Sequence, residues 1–498
     1  MDGGDFVSQA WSERLQAVGK AKNPLVGKRV LCGHNAVVDY LEFLQPTHVQ
    51  ALVHASGKAQ QILEASKQEP TQAENSEEFL AVLLHAMRTG KAVHVISHSE
   101  PLFEWFEETF AGPDKVRMGG QAGIIANQLA LLESKVIFTS PALSKRQAGL
   151  FEKKGIEVPI VKGKKLSFAT PAKAGRADDP TKVNWIFEFK RGHKVQIGTE
   201  LIDPPRANRV IIASRARVEP AFREELHPFL PQLAKKVQAA FLAGYHYLEP
   251  KFAYPDGCTW KDIIKREDKA LLIFKKANPS LVSHFEYVPF PHPEIEKEVV
   301  GLITRHTDSL GCNEVELREL LHAFKCKTQE EQLSKVENAF TLYEGMRVLF
   351  DKLKLKRFHL HTLGYHLLIV AKPYPRPLEK ARDAVVYAGL VATAKALSGK
   401  EITHKDLQKA LEVPISETGL NQVRALESAF SIQVKGKRGR KRKEYRSLMF
   451  DARYLLKEGI LDVGTHHLVV VPTQITPRPI ATVGLGDVVS SVALAAEV

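Results

Sequence analysis

The chain has 498 residues, with 70 Lys and Arg against 57 Asp and Glu and a formal net charge of +13. Hydrophobic residues make up 44% of it and charged residues 26%. This composition excludes a mostly disordered chain, because a large apolar core can be buried. At about 150 residues per domain, the length predicts roughly three domains. The four cysteines are scattered and form no CxxC pair, which excludes a disulfide framework and argues against a thiolate zinc site.

The compartment is predicted from the cysteines and from the apolar runs. The N-terminal segment MDGGDFVSQAWSERLQ is acidic and amphipathic, so we expect no signal peptide. No apolar stretch reaches the roughly 20 residues that a membrane helix needs. These features predict a cytoplasmic protein in a reducing compartment. The oligomeric state, monomer or dimer, stays open at this point.

Strand-like apolar runs alternate with helical patterns along most of the chain. The clearest strand-like runs are RVLCGHNAVV, KAVHVI, KVIFTS, NRVIIAS, FHLHTL and HHLVVV. The clearest helical patterns are EEFLAVLLHAMRTG and QLAKKVQAAFLAG. The alternation predicts an α/β core with a mostly parallel sheet. Residues 155–200 instead predict short strands and turns, so we expect one large α/β domain that carries a smaller, discontinuous β-rich lid.

Much of the positive charge lies in residues 435–446, KGKRGRKRKEYR, which carry +7 and leave +6 for the rest of the chain. The two glycines in this run and the strand-like flanks FSIQV and YRSLMF predict a basic β-hairpin. Such a run is either a solvated hairpin tip or a patch for nucleic acid or another acidic partner. No RNA- or DNA-binding motif accompanies it, which makes nucleic acid the weaker interpretation.

The sequence Gly484-Leu485-Gly486-Asp487 precedes the apolar helical pattern VVSSVALAAE. Glycines let a ligand approach the backbone, and the free N–H groups at a helix start bind anions. Asp487 could take a proton from a hydroxyl while these amides hold a phosphoryl group. A carboxylate that caps the helix explains the same pattern equally well.

A second glycine cluster, Gly119-Gly120-Gln121-Ala122-Gly123, also leads into a helical pattern, NQLALLES. A turn followed by close helix packing explains this cluster by itself. Two such clusters in one α/β chain make a phosphate or polyol site more probable than either cluster does alone.

Acidic residues suggest a metal. Glu316 lies in the segment NEVE at 313–316, at the start of the helical pattern VELRELLHAF, and Glu286 ends the tripeptide HFE. Carboxylate oxygens suit Mg²⁺, which keeps several waters and bridges to substrate phosphates. The alternative for Glu316 is a first-turn acid stabilised by the helix dipole.

Taken in order, the segments GGQAGIIAN, HFE, NEVE, FHLHTLGY and TVGLGD resemble the ADP-dependent sugar kinases, the glucokinase/phosphofructokinase family within the ribokinase-like fold. The resemblance covers nearly the whole chain, from Asn35 and Asp39 to the C-terminal glycine motif. It implies an α/β fold class, with a three-layer α/β/α large domain and a smaller, discontinuous β-rich lid. The implied lid spans about 33–60, 88–120 and 160–205, and the implied large domain is mainly 120–160 and 206–498.

The resemblance also implies an activity. In that family a sugar hydroxyl attacks the β-phosphate of Mg·ADP and gives a sugar phosphate and AMP, as a step of a modified glycolysis. Asp487 then matches the catalytic base, and Arg209 matches the cation on the transferred phosphate, although an arginine at a strand start can equally be a surface residue. Glu286 and Glu316, together with Asp487, match the residues that organise Mg²⁺, partly through waters.

The residues that match the nucleotide site of the family come from three segments, NEVE, FHLHTLGY and TVGLGD. They are Asn313, His361, Thr362, Val483, Gly484 and Gly486. The choice of ADP over ATP follows from the resemblance alone.

The sugar side departs from the family pattern. Asp39 matches the acid that binds sugar hydroxyls, and Gly120 and Gln121 match the loop beneath the sugar. Where the family often has Asn-x-Asn-x-Asp, this chain has Asn35-Ala36-Val37-Val38-Asp39 and lacks one amide. His94 stands where glucose-specific members carry a glutamate, and Asn184 falls near the place of a glucose-contacting histidine, so two glucose contacts are missing.

Phosphofructokinase members need cations for the 6-phosphate of the sugar. Lys182 and Arg215 are candidates, and His94 could add a donor. Lys182 could also be an exposed lid lysine. We therefore expect fructose 6-phosphate as acceptor, with glucokinase or bifunctional activity as the alternative. An alternative from another class is a catalytically weak kinase fold that binds nucleic acid through residues 435–446.

Overall fold

The structure is a computed structural model that describes residues 3–152, 154–214, 220–251, 254, 257–435, 451–480 and 484–498. Within these ranges it describes all side chains except those of 3–5, 303 and 433–435. Arg215, Val483 and residues 436–446 of the predicted basic hairpin lie outside the described residues. No helix in the described ranges combines the length and the apolar character that crossing a membrane requires.

The helices cover most of the surface of the sheets. They are α1 (Gly3–Lys20), α2 (Pro46–Ala55), α3 (Ala59–Ala65), α4 (Ser76–Thr89), α5 (Glu100–Thr109), α6 (Gln121–Leu131), α7 (Lys145–Ala148), α8 (Pro171–Ala174), α9 (Leu230–Ala234), α10 (Trp260–Ala277), α11 (Pro293–His306), α12 (Glu314–Ala323), α13 (Lys327–Lys335), α14 (Ala339–Leu353), α15 (Leu378–Ser398), α16 (Leu407–Ala410), α17 (Glu417–Lys435), α18 (Ala452–Glu458) and α19 (Leu485–Glu497).

The strands form one large, one small and one two-stranded sheet. They are β1 (Arg29–Gly33), β2 (Val37–Phe43), β3 (Val93–Ser97), β4 (Lys115–Gly119), β5 (Lys135–Thr139), β6 (Ile156–Lys162), β7 (Lys165–Ala169), β8 (Val183–Phe189), β9 (Val195–Ile197), β10 (Glu200–Ile202), β11 (Asn208–Ser214), β12 (Ala239–Leu242), β13 (Val282–Glu286), β14 (Ser309–Cys312), β15 (Arg357–Thr362), β16 (Tyr365–Ala371), β17 (Ile460–Asp462) and β18 (His466–Pro472).

The large sheet has the strand order β17-β18-β16-β15-β14-β13-β12-β1-β5-β6-β7. Its seven central strands, from β15 to β6, are parallel, and the strands at both ends are antiparallel. Helices cover both faces, with α10, α11 and α14 on one side and α6, α15 and α19 on the other. Strands buried on both faces need apolar residues at nearly every position, which explains runs such as VLC and VIF. The predicted mostly parallel α/β core is present.

The small sheet has the order β3-β11-β8-β2-β4. Helices α2 to α5 cover one of its faces, where aromatic side chains such as Phe79, Phe106 and Phe187 pack closely. Because side chains alternate along a strand, the neighbouring positions point to the other face. That face lines a cleft of about 830 Å³, whose other wall is formed by residues 398–401 at the end of α15 and by Pro479 and Ile480.

The chain passes repeatedly between the two sheets, and the strands differ from expectation in three places. The run RVLCGHNAVV forms two strands, β1 in the large sheet and β2 in the small one. β11 was expected in the large domain but pairs with β3 and β8, because Val210 and Ile212 belong to the small core. β7 was expected in the lid but forms the edge of the large sheet.

Two secondary-structure predictions are wrong. The pattern at 232–244 was expected to be helical, but α9 ends at Ala234 and AAFL forms β12 at the centre of the sheet. A short apolar run buried on both faces does not reveal by periodicity whether it is strand or helix. Residues 430–434, expected as a strand, continue α17, where Leu420, Val423 and Phe430 are buried along one face.

Candidate active site

The first turn of α19 lies at the carboxyl edge of the large sheet and contains Asp487. Gly484 precedes the helix with φ 70°, a conformation that favours glycine, and Asp487 follows three residues later. The first amides of a helix have no partner inside it, so this turn presents free N–H groups. Asp487 is half-buried, and its loss of contact with water, together with the charge of Glu286, raises its pKa to about 6. The turn therefore places a proton acceptor beside an anion-binding backbone.

Glu286 ends β13 and is held by two histidines. Its carboxylate oxygens lie 2.8 Å from His284 Nε2 and 2.7 Å from His361 Nε2. Burial would raise the pKa of Glu286, but the two histidine contacts outweigh it and hold the pKa at about 2. A Cβ atom on Gly311 of the neighbouring strand would lie 2.0 Å from Glu286 Oε2, so only glycine leaves room for this carboxylate.

Glu316 and Asn313 form a reciprocal cap at the start of α12. Asn313 Oδ1 accepts from the amides of Val315 and Glu316 at 2.9 Å, and Glu316 Oε2 accepts from the Asn313 amide at 2.8 Å. The helix-start interpretation of Glu316 is therefore confirmed. Burial first, and then the charges of Glu286 and Asp487, nevertheless raise the pKa of Glu316 to about 8.

Three carboxylates, those of Glu286, Glu316 and Asp487, thus influence one another electrostatically. Such mutual repulsion favours a bound cation. In the part of the chain that the structure describes, no group of three His, Cys, Asp or Glu side chains could hold a metal ion directly. A cation here would need water in much of its coordination sphere, as Mg²⁺ commonly has.

A pocket of about 240 Å³ lies beside the first turn of α19. His361, Thr362 and Gly486 line it, together with apolar side chains such as Leu363 and Ala396. A Cβ atom at Gly486 would lie 2.7 Å from His361 Cε1, so the glycine allows the helix to approach the histidine. Of the residues expected to hold the nucleotide, the structure brings these three together.

Asp39 lies on the cleft face of the small sheet and is 3% exposed. Its Oδ1 accepts a hydrogen bond of 3.0 Å from Asn184 Nδ2 on the paired strand, and Arg117 Nε lies 3.8 Å from Oδ2. Burial raises the pKa of Asp39 to about 6, although Arg117 and Asn184 oppose this shift. A Cβ atom on Gly119 would lie 2.0 Å from Asp39 Oδ1.

Gly120 and Gln121 connect the two regions. Gly120 has φ 74° and precedes α6, and a Cβ atom there would lie 2.9 Å from the Asn35 carbonyl oxygen. The Gln121 side chain donates to the Glu286 carbonyl at 3.4 Å and also hydrogen-bonds to Asp487. Asn35 is 2% exposed, and its Oδ1 has no hydrogen-bond partner among the described residues.

The predicted cations are spread along the cleft. Arg209 lines the large cleft, its charge acts on Asp39 and His94, and its buried Nε has no hydrogen-bond partner within the described ranges. Lys182, two residues before Asn184, is 8% exposed, with Nζ 4.7 Å from the centre of the Tyr247 ring. It is therefore not an exposed lid lysine. His94 is an exposed residue of β3, next to β11.

No role was predicted for Arg117, His284 or Gly311. Arg117 lies directly opposite Asp39, a pairing that depends on the register of β2 and β4. His284 belongs to the HFE motif, and its alternation with Glu286 could have placed both on one face of a strand. Gly311 gave no signal, because its importance comes from a carboxylate on another strand.

Taken together, these features define a class of protein. A carboxylate and free amides at a helix start, a pocket beside them and an acidic cluster form the arrangement of a phosphoryl-transfer enzyme on an α/β scaffold. The chain belongs to the ADP-specific phosphofructokinase/glucokinase family, whose conserved-region model matches residues 28–496. It is therefore a member of a family of kinases that act on sugars.

Relatives in sequence and structure cover nearly the whole chain. The ADP-specific phosphofructokinase of Thermococcus kodakarensis is 31% identical over 93% of this chain and 94% of its own length. A solved structure of the last common ancestor of ADP-dependent phosphofructokinases from Methanosarcinales has a TM-score of 0.81 and 30% identity, and covers 100% of this chain and 98% of its own. An ADP-dependent kinase in complex with fructose-6-phosphate and ADPβS has a TM-score of 0.79 with the same identity and coverage. These likenesses confirm the predicted family and fold class.

Proposed function

We propose that this protein transfers the β-phosphoryl group of ADP to fructose 6-phosphate and forms fructose 1,6-bisphosphate and AMP. The observation that carries the proposal is Asp487, a carboxylate with a pKa of about 6 in the first turn of α19, beside free amides and a pocket. Two of the relatives named above are phosphofructokinases, and the third, an ADP-dependent kinase, carries fructose-6-phosphate with ADPβS.

In this reaction the sugar hydroxyl oxygen forms a bond to the β-phosphorus, and the bond from that phosphorus to the oxygen bridging to the α-phosphate breaks. Asp487 accepts the hydroxyl proton, and AMP leaves with the bridging oxygen. The amides that follow Gly484 stabilise the charge on the transferring group. Arg209 supplies a cation to the same group once the cleft closes.

The acidic cluster fits a divalent cation. Glu316 and Asp487 have raised pKa values that a neighbouring positive charge would lower, and Glu286 is already ionised. We assign these three residues to the site that would hold Mg²⁺ or another divalent cation. The ion supplies charge neutralisation for the phosphates, as expected in phosphoryl transfer.

Nucleotide binding is assigned to the pocket beside α19. His361, Thr362 and Gly486 line it, Gly484 supplies the turn, and Asn313 organises the neighbouring helix start. Val483 belongs to the same proposed site, although it lies outside the described residues. The apolar lining suits the face of a base, and the first amides of α19 suit its phosphates.

We regard the small sheet and its helices as the lid. The acceptor is assigned to the cleft face of this sheet. Hydrogen-bonding groups for the sugar hydroxyls come from five residues on or beside this face: Asp39, Asn184, Asn35, Gly120 and Gln121. Lys182 is a buried cation close to this group and suits the 6-phosphate. His94, and Arg215 outside the described residues, are assigned to the same phosphate. A cytoplasmic location completes the proposal, in keeping with four free cysteines.

A panel of acceptors and donors tests the proposal. Purified protein with Mg²⁺ is given fructose 6-phosphate or glucose, each with ADP or ATP, and the nucleotide product is measured. We expect AMP only when ADP and fructose 6-phosphate are present together. Turnover with glucose alone would reassign the acceptor, and turnover with ATP alone would reassign the donor.

A further inference from the structure

A row of buried polar side chains crosses the large sheet beneath α19. His284, Ser309 and Arg357 occupy directly paired positions on β13, β14 and β15. Each is at most 1% exposed. Their neighbours Phe285 and Leu310 belong to the core on the opposite face, so the three polar side chains share the face that α19 covers.

Hydrogen bonds join this row into a continuous chain. His284 Nε2 lies 2.8 Å from Glu286 Oε2, and His284 Nδ1 lies 2.8 Å from Ser309 Oγ. Arg357 donates from Nη1 to Ser309 Oγ at 3.3 Å and from Nε to Glu497 Oε2 at 3.0 Å. This series of hydrogen bonds therefore runs from Glu286 at the carboxyl edge of the sheet to Glu497 in the last turn of α19.

The donors in this chain fix the position of one proton. A carboxylate has acceptors only, so His284 Nε2 donates to Glu286 and Nδ1 of the neutral ring is bare. The Ser309 hydroxyl therefore donates to Nδ1 while one of its lone pairs accepts from Arg357, which has donors only. A ring nitrogen that accepts carries no proton, so the proton of neutral His284 lies on Nε2 and points at Glu286. The opposite tautomer would place a lone pair of Nε2 against a carboxylate oxygen at 2.8 Å.

We propose that Ser309 and Arg357 are positioning residues for Glu286, which they orient by holding His284 in the tautomer with its proton on Nε2. The role of Glu286 in this inference rests on the proposed function, in which Glu286 serves the divalent cation. Gly311 leaves space for the Glu286 carboxylate. The proton on His284 Nε2 then holds Glu286 Oε2 against this histidine. The outer partners of residues around a metal commonly control affinity or activity by about 10–100-fold when they are removed.

The first test needs neither substrate nor activity. The ligand-free protein is labelled with ¹⁵N-histidine, and long-range ¹H–¹⁵N spectra assign the tautomer of each ring. His284 is identified by the signal that His284→Gln removes. We expect protonated Nε2 and bare Nδ1 in the wild-type protein. A proton on Nδ1, or a doubly protonated ring, would overturn the proposal even if the kinase activity is confirmed.

The second test asks whether Ser309 acts through His284. In Ser309→Ala we expect the Mg²⁺ concentration for half-maximal turnover to rise, or kcat to fall, by about 10–100-fold. Ser134→Ala is the matched control, because Ser134 is also buried and loses one hydrogen bond, to the Leu25 carbonyl, far from the row. Ser134→Ala should keep the wild-type kcat and the wild-type Mg²⁺ concentration for half-maximal turnover.

A double-mutant cycle completes the second test. In a His284→Gln background, Ser309→Ala should cause little further loss, because its only route to Glu286 is already broken. Losses that add fully would contradict the proposal and assign Ser309 a separate, structural role. If Ser309→Ala does not fold, the tautomer of His284 in the wild-type protein still tests the proposal. If the wild-type protein has the expected tautomer but no kinase activity, the proposed function fails while the positioning of Glu286 stands.

Discussion

The carboxyl edge of the large sheet and the cleft face of the small sheet satisfy their polar groups in different ways. At the carboxyl edge, both oxygens of Glu286 contact histidines, and Asn313 and Glu316 cap each other. On the small sheet and its entry segment, Asn35 Oδ1 and Arg117 Nη2 are buried without a hydrogen-bond partner within the described ranges. The carboxylates of the first region are held by groups of the protein itself, although His359 and His366 of the large sheet also keep buried ring nitrogens without a partner in these ranges, whereas around Asp39 the unpartnered atoms face the cleft side of the small sheet.

This difference has a physical meaning for binding. A buried polar atom without a partner costs free energy, so native proteins keep few of them and usually for a reason. A sugar phosphate could satisfy Asn35, Arg117 and the Arg209 Nε together. Under the proposed function, the chemistry is preorganised on the large sheet, whereas recognition on the small sheet would be completed by the acceptor.

Removal of the proposed base tests the preorganised region most directly. In Asp487→Asn we expect kcat to fall by about 10²–10⁴-fold, the usual contribution of general acid–base catalysis. ADP affinity, measured by calorimetry without Mg²⁺, should not fall, because Asp487 does not line the pocket beside α19 and would serve the nucleotide only through the cation. Unchanged AMP formation by this variant would show that Asp487 is not the base.

A matched pair of glycines separates the two regions. A Cβ atom would lie 2.0 Å from Glu286 in Gly311→Ala and 2.0 Å from Asp39 in Gly119→Ala. We expect Gly311→Ala to lower kcat and Gly119→Ala to raise the KM for the sugar, each by about 10–100-fold, since small misplacements of positioned groups are costly.

Gly301→Ala is the control for both glycines, because Gly301 is in α11 and a Cβ atom there meets nothing within 4 Å. Its kinetic constants should equal those of the wild type. If Gly119→Ala lowered kcat without changing KM, the division between a preorganised and a substrate-completed region would be wrong.

A smaller effect is expected from the cation assigned to the 6-phosphate. Lys182→Met should raise the KM for fructose 6-phosphate by about tenfold or more, since a charged hydrogen bond contributes about 1.5–3 kcal/mol. The KM for ADP should stay constant. Lys91→Met, at an exposed lysine beside the same sheet, is the control. Equal effects of the two substitutions would point to general electrostatics instead of a specific contact.

The pH profile tests both regions at once. Burial raises the pKa of Asp487 and of Asp39 to about 6, so both carboxylates hold their protons to higher pH than exposed ones and are neutralised as pH falls below 6. If both must be ionised, kcat/KM should fall about a hundredfold per pH unit in that range, and about tenfold if only one is required. Asp39→Asn should reduce the steeper slope to the shallower one. A flat profile between pH 7 and pH 5 would contradict both assignments.

The sequence predicted the parts of the fold and site that depend on neighbouring residues. The glycines before α6 and α19 and the start of α12 followed from local patterns, because turns and helix caps are local features. The family followed from the order of five such segments. The predictions failed where tertiary contacts decide: β12 is a strand because it lies between β1 and β13, and β11 belongs to the small sheet because its apolar side chains pack there.

Pairing between distant strands explains what was missed in the site. Arg117 meets Asp39 only through the register of β2 and β4, and Ser309 reaches Arg357 only through that of β14 and β15. No periodicity within one segment contains this information. The helix-cap role of Glu316 was foreseeable from its spacing to Asn313, whereas its raised pKa reflects carboxylates on other elements.

The segments that join the two sheets have a mechanical consequence. Asn35 lies between β1 and β2, Gly120 between β4 and α6, and Lys182 immediately before β8. A rotation of the small sheet against the large one must twist these joints, so it also moves groups assigned to the sugar. Occupancy of the acceptor site and the angle between the sheets are then thermodynamically linked, and each biases the other by the same free energy. These three connecting segments would therefore couple binding of the sugar to the relative orientation of the two sheets.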